Sequence, residues 1–175
     1  MDARLIAGTI AAAGLLAGAP PALAALEQVH RVDVAAPAAR EAARLSTDSA
    51  DALMHGDYAQ ALALAERGVA EAPADPWPQY LRGAALTRLM RTDEAVVAFQ
   101  RAEAQFTADD MWGRSVATYG RAHVLDASGR CAEAGAAYRD YAALVQPHDA
   151  ALAEMALRYA SYCKAPAAAS PPARP

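Results

Sequence analysis

The residues whose chemistry is most readily named are two cysteines, Cys131 in "SGRCAEA" (128–134) and Cys163 in "SYCKAP" (161–166). A thiol pair can form a structural disulfide, cycle as a redox couple, help bind a metal, or stay reduced inside a core. A redox couple is disfavoured here, since the two are not spaced as CxxC and no basic cluster near Cys163 lowers its thiol pKa. A metal site needs at least three converging ligands. The histidines, His30, His55, His123 and His148, fall singly in a weakly patterned segment, two turns and one helical stretch. His123 and Asp126 make an i, i+3 pair, which reads as a surface or groove contact before it reads as a metal site. No HExxH, GxSxG, phosphate-binding glycine loop or CxxCH occurs. No nucleophile, base and orienting group can be placed together, so the sequence points to no catalytic residue, no cofactor, no metal and a non-enzymatic protein.

The elements that carry these residues are helical. From Pro37 to Cys163 the apolar spacing follows threes and fours, with no alternating strand pattern. Breaks fall at "HGD" (55–57), "APADP" (72–76), "RTD" (91–93), "FTADD" (106–110), "SGR" (128–130) and "QPHD" (146–149). Each holds a glycine stop, an early-helix proline, or an Asp or Thr suited to an N-cap. The spacing predicts helices near 37–54, 57–71, 76–89, 92–106, 110–127, 131–145 and 149–163. Links this short make successive helices antiparallel. The chain has 175 residues and a net charge of −4, enough for one domain with a real core. Mild acidity argues against nucleic acid as a partner.

The two ends have a different character. "MDARLIAGTIAAAGLLAGAPPALAAL" opens with a weakly basic start, an apolar run from Leu5 to Ala19, two prolines and then "ALA" at 22–24. That order predicts a secretory signal peptide over 1–24, cleaved after Ala24, and hence a periplasmic or secreted protein. The apolar run is short for a membrane anchor, so no stable membrane span is expected after cleavage, and no cysteine near the site suits a lipoprotein. Residues 25–36 read as a linker, and 37–163 as the helical domain. The stretch "KAPAAASPPARP" (164–175) reads as a disordered Ala/Pro-rich tail, because it has too little apolar surface to offset its ordering entropy. Of the 16 basic residues only Lys164 is a lysine, and with so much Ala, Arg, Gly and Pro the composition suggests a GC-rich bacterial source.

Export bears on the thiols. Cys131 lies 16 residues before Pro147 and Cys163 lies 15 after His148, so an antiparallel helix pair turning there brings them level. Cys131 shares a stripe with Ala134, Tyr138 and Tyr141, and Cys163 shares one with Ala156 and Tyr159. In an oxidising compartment two facing cysteines should join, which predicts a Cys131–Cys163 disulfide. Two unpaired buried thiols are the alternative.

Alternate helices repeat one another. "GDYAQALALAERGVAEAP" (56–73), "MRTDEAVVAFQRAEAQF" (90–106) and "GRCAEAGAAYRDYAALVQP" (129–147) align on Ala61, Ala95 and Ala134, with periods of 34 and then 39 residues. Ala65, Phe99 and Tyr138 stand four residues on, and Gly68, Ala102 and Tyr141 three further. Ser49, Gly83 and Ala122 fill a small-residue slot in the preceding helices. This pattern resembles the tetratricopeptide repeat family over roughly residues 42–147, as three helix pairs. Gly56, Asp57, Tyr58, Ala61 and Pro73 match it well, as do "YLRGAAL" (80–86) and "TDEAVVAF" (92–99). Met90 departs from a usual glycine, Tyr141 occupies a usually small slot, and the third repeat carries five extra residues before its first helix. A generic alanine-rich bundle is the rival. The resemblance implies an all-α fold, a short right-handed solenoid of three such pairs with helix 149–163 as a cap.

The resemblance further implies that the first helix of each pair lines a concave groove. Carried over by slot, this gives Leu53 in the first repeat, Trp77, Tyr80, Thr87 and Arg88 in the second, and Val116, Tyr119, His123 and Asp126 in the third. A fifth helix lengthened backward by the insertion brings Trp112 onto the stripe of Val116, Tyr119 and His123. Trp77 and Trp112 could equally pack between successive helix pairs. The expectation is a protein interaction module, with Trp77, Tyr80, Arg88, Trp112, Tyr119, His123 and Asp126 contacting a peptide or helix of an envelope protein. A self-associating assembly or secretion factor and a small-ligand-binding protein are the alternatives.

Overall fold

The computed structural model describes residues 21–162, and their regular structure is entirely helical. The seven helices are α1 (Pro21–His55), α2 (Tyr58–Glu71), α3 (Pro76–Arg88), α4 (Thr92–Gln105), α5 (Met111–Ala127), α6 (Cys131–Val145) and α7 (Ala150–Tyr162). From α2 onward each boundary falls within one or two residues of the turn signals in the sequence. The start of α1 does not. It begins at Pro21 and runs through residues 25–36, expected as a linker, and through Pro37, so the cleavage site expected after Ala24 lies in its first turns. Periodicity gives no sign of this extension, but its five alanines between 22 and 36 have high intrinsic helix propensity. The segments Met1–Arg40 and Glu41–Pro175 form separate compact units, and the repeats belong to the second. The expected tail 164–175, Cys163 and residues 1–20 of the expected signal segment lie outside the described residues.

From α2 onward each helix packs on its chain neighbours, and α3 also meets α5, giving a solenoid-like stack. At α1, the Ser49 hydroxyl donates to the Ala61 carbonyl at 2.8 Å, tying that helix to α2. The three sequence repeats are also three repeats of backbone geometry. Gly56, Met90 and Gly129 are the described residues with positive φ, at 86°, 60° and 74°. Each follows a helix and closes it in the same way. Asp57 N–H donates to the Ala52 carbonyl, Arg91 N–H to Leu86, and Arg130 N–H to Leu125, all at 2.9–3.0 Å, which is the long bond of a Schellman turn. The next helix then starts at once, with Ala61, Ala95 and Ala134 N–H donating to the carbonyls of Asp57, Arg91 and Arg130.

The caps divide by helix type. Asp75, Asp110 and Asp149 accept from the N–H groups of Trp77, Gly113 and Leu152 at 3.0, 2.8 and 2.9 Å. Asp57, Arg91 and Arg130 make no side-chain cap, because the tight turn already passes straight into the helix.

The aligned positions form the core. Ala61, Ala95 and Ala134 are fully buried, as are Ser49 and Ala122. Phe99 and Tyr138 fill the space one turn on, and Ala102 and Tyr141 are buried beyond them. Small residues on one helix let the neighbour's large ring sit close. The clearest case is Phe99, whose ring lies between α3 and α5. A Cβ built on Gly83 would stand 2.9 Å from it, and one on Gly120 2.6 Å. The third repeat's insertion enters its first helix, since α5 has 17 residues where α3 has 13. Three arginines stitch successive pairs, Arg130 reaching Asp93 of α4 at 2.7 Å. Arg82 lies 3.5 Å from Glu66 and 3.9 Å from Glu94, while Arg121 bridges Glu103 at 2.8 Å and Asp140 at 3.1 Å. No described helix is long and apolar enough to cross a membrane.

Candidate functional site

A groove of about 840 Å³ opens along the face to which α1, α3 and α5 contribute. The end of α1 and the turn after it supply Leu53, Met54, His55 and Gly56, and Tyr58 follows from α2. Tyr80, Ala84, Thr87 and Arg88 stand at successive turns of α3, so helical spacing alone lines them up. Ser115, Val116, Tyr119, Gly120 and His123 do the same on α5. Phe99 of α4 and Tyr141 of α6 reach the floor from behind. Among these residues Arg88 is the one permanent charge, and there is no carboxylate.

The polar groups are held. The Arg88 guanidinium donates to the Tyr58 hydroxyl and lies over the Tyr58 ring, 4.7 Å from its centroid. Burial pushes the Tyr80 hydroxyl above the usual phenol range. The same effect raises Tyr138, where the Asp126 carboxylate adds to it, and Tyr141, beside Tyr119. Tyr119 is 37% exposed and heads a connected set of rings. Its centroid is 5.4 Å from Tyr141, 6.3 Å from Tyr138 and 6.1 Å from His123. On the other wall Tyr80 meets Phe99 at 5.9 Å.

Of the residues expected at a groove, Tyr80, Arg88, Tyr119 and His123 line it, as do Leu53, Thr87 and Val116. Trp77, Trp112 and Asp126 do not. Trp77 is half-buried against the Phe106 cluster between helix pairs, with its ring 5.0 Å from Phe106 and 5.7 Å from Tyr80. Trp112 tilts over Trp77 at 5.0 Å and is 65% exposed, beyond the groove's end. Asp126 faces α6 and accepts from the Tyr138 hydroxyl at 3.4 Å. The floor residues Phe99 and Tyr141 were not expected. Both lie on second helices and read as packing positions. The signal for Phe99 is the pair of glycines, Gly83 and Gly120, that leave its ring open to the groove.

Cys131 begins α6, the helix against which α7 packs. One turn on, a Cβ at Gly135 would lie 3.1 Å from the Ala160 carbonyl oxygen, so the two helices touch there. There is no free cysteine among the described residues. Nor do any three His, Cys, Asp or Glu side chains among them gather into a possible metal cluster. No family model matches this chain, and no curated protein matches it.

Proposed function

We propose that this chain is an exported, tetratricopeptide-like interaction module that holds a peptide or helix of an envelope protein in its aromatic groove. The observation that carries this reading is the groove itself. Successive first helices, α1, α3 and α5, line one face, on which α3 and α5 place Tyr80 and Tyr119. Such side chains bury large area at low entropy cost and still offer a hydrogen bond. The binding is by shape and polar anchoring, with no bond made or broken. The tetratricopeptide assignment draws its support from the three matching turns at 56, 90 and 129. Export rests on the sequence order of residues 1–24, with the mature protein acting in the periplasm or outside the cell. In that setting Cys131 and Cys163 are joined, a pairing supported by the close approach of α6 and α7 at Gly135.

Placing a photo-reactive residue at Val116, inside the groove, tests the reading in intact cells. Gln100, across the stack beside Glu103 and Arg121, is the control position. A single envelope protein cross-linked from position 116 and not from 100 is the expected result. Equal labelling from both positions would remove the groove's special status. A second reading, self-association, is favoured by exposed Trp112. It requires a concentration-dependent mass in sedimentation that Trp112→Ala abolishes.

A further inference from the structure

We propose that the groove takes a polyproline-type extended segment, and that its resident occupant is this chain's own segment 164–175. The inference rests on the reading of the groove as a binding site and adds the chemistry of what it binds. Arg88 is turned onto Tyr58, which leaves a floor of Tyr80, Phe99, Tyr119 and Tyr141, all aromatic and uncharged. A charge-free aromatic floor with phenol donors along it suits a proline-rich strand. Proline rings lie flat on aromatic faces, and the strand's free carbonyls accept from tyrosine hydroxyls. The polyproline helix is also pre-ordered, so little entropy is lost on docking.

The segment "KAPAAASPPARP" has the matching period. Pro166, Ala169, Pro172 and Pro175 recur every three residues. With three residues per turn, these four fall on one edge of a polyproline helix. Arg174 falls on another edge, clear of the floor. The groove supplies the apolar partner that the composition of the segment lacks.

The reach is sufficient. The segment follows α7 in sequence, and a chain of ring contacts leads from α7 to the groove. Tyr159 lies 5.5 Å from Tyr138, and Tyr138 lies 6.3 Å from Tyr119. Twelve residues in polyproline geometry extend about 37 Å, against those two ring-to-ring steps. An envelope partner would therefore compete with the tail for the same floor, and the tail would set a threshold for partner binding.

The test uses the full chain, purified and monomeric, with a photo-reactive residue at Val116 and, separately, at Thr87 on the facing wall. Equal amounts of isotopically light and heavy protein are mixed before irradiation. The expected product joins either position to a peptide from 164–175 of the same isotope. Pro172→Ala with Pro175→Ala should lower its yield at least fivefold, while raised salt should leave it unchanged. No tail product from either position, or products of mixed isotope only, would overturn the proposal. If the tail product is missing but the envelope protein is still captured from position 116 in cells, the occupant is wrong and the groove reading stands. If neither forms, both fail.

Discussion

At Met90 the backbone asks for a residue that the sequence does not provide. Its φ is 60°, and the matching turns hold Gly56 and Gly129. A side chain in the left-handed region costs roughly 1–2 kcal/mol, part of which glycine returns as unfolded-state entropy. Met90 is 82% exposed, so its side chain contributes little burial. Met90→Gly is therefore expected to stabilise the fold by about 0.5–1 kcal/mol, or roughly 2–4 °C in Tm by thermal melting. A fall in Tm would mean that the three turns are not equivalent in energy. The departure of Met90 from the repeat was legible in the sequence, and its strain was not, because φ at one residue leaves no trace in composition. The same limit applied to Phe99 and Tyr141. Their large rings at regular spacing announced burial, and only the neighbouring glycines in three dimensions show that Phe99 also reaches the groove.

For the elements, local chemistry was legible from α2 onward because every turn but the one at Met90 carries a Gly, Pro or Asp with a definite backbone role. Asp75, Asp110 and Asp149 cap the helices they precede. The start of α1 carries no such mark, and alanine propensity extends the helix without any periodic signal. The last helix depends on one neighbour. Among the described residues α7 packs on α6 alone, with Ala153 and Ala156 buried against Tyr141, Ala142 and Val145. A terminal element with a single interface opens first. A Cys131–Cys163 clip closing that pair would be worth about 3–4 kcal/mol in the chain-entropy model. Reduction is thus expected to speed amide exchange in α7 by up to about two to three orders of magnitude, with α2 to α4 little changed. Uniform exchange across all helices, or none faster, would count against the clip.

For the whole molecule, the repeat explains why the groove exists. Three pairs stacked by the same turn place α1, α3 and α5 on one side, so residues a repeat apart, such as Tyr80 and Tyr119, come to face one opening. That placement was legible from the second repeat period, 39 residues, which is also the spacing of Tyr80 and Tyr119. The fates of the two tryptophans were not. Spacing puts Trp77 and Trp112 on the groove stripe, but at the starts of α3 and α5 the two rings pack on each other, and Trp77 on Phe106. Arg82 and Arg121 bind neighbouring pairs together through residues outside the groove, whose lining holds no carboxylate. The most direct measurement is the affinity of the cross-linked envelope partner for the wild-type chain and for the Tyr80→Ala, Tyr119→Ala double variant, at matched helicity by circular dichroism. A loss of at least tenfold, about 1.4 kcal/mol, is the predicted result. Unchanged affinity in a fully helical variant would contradict the account.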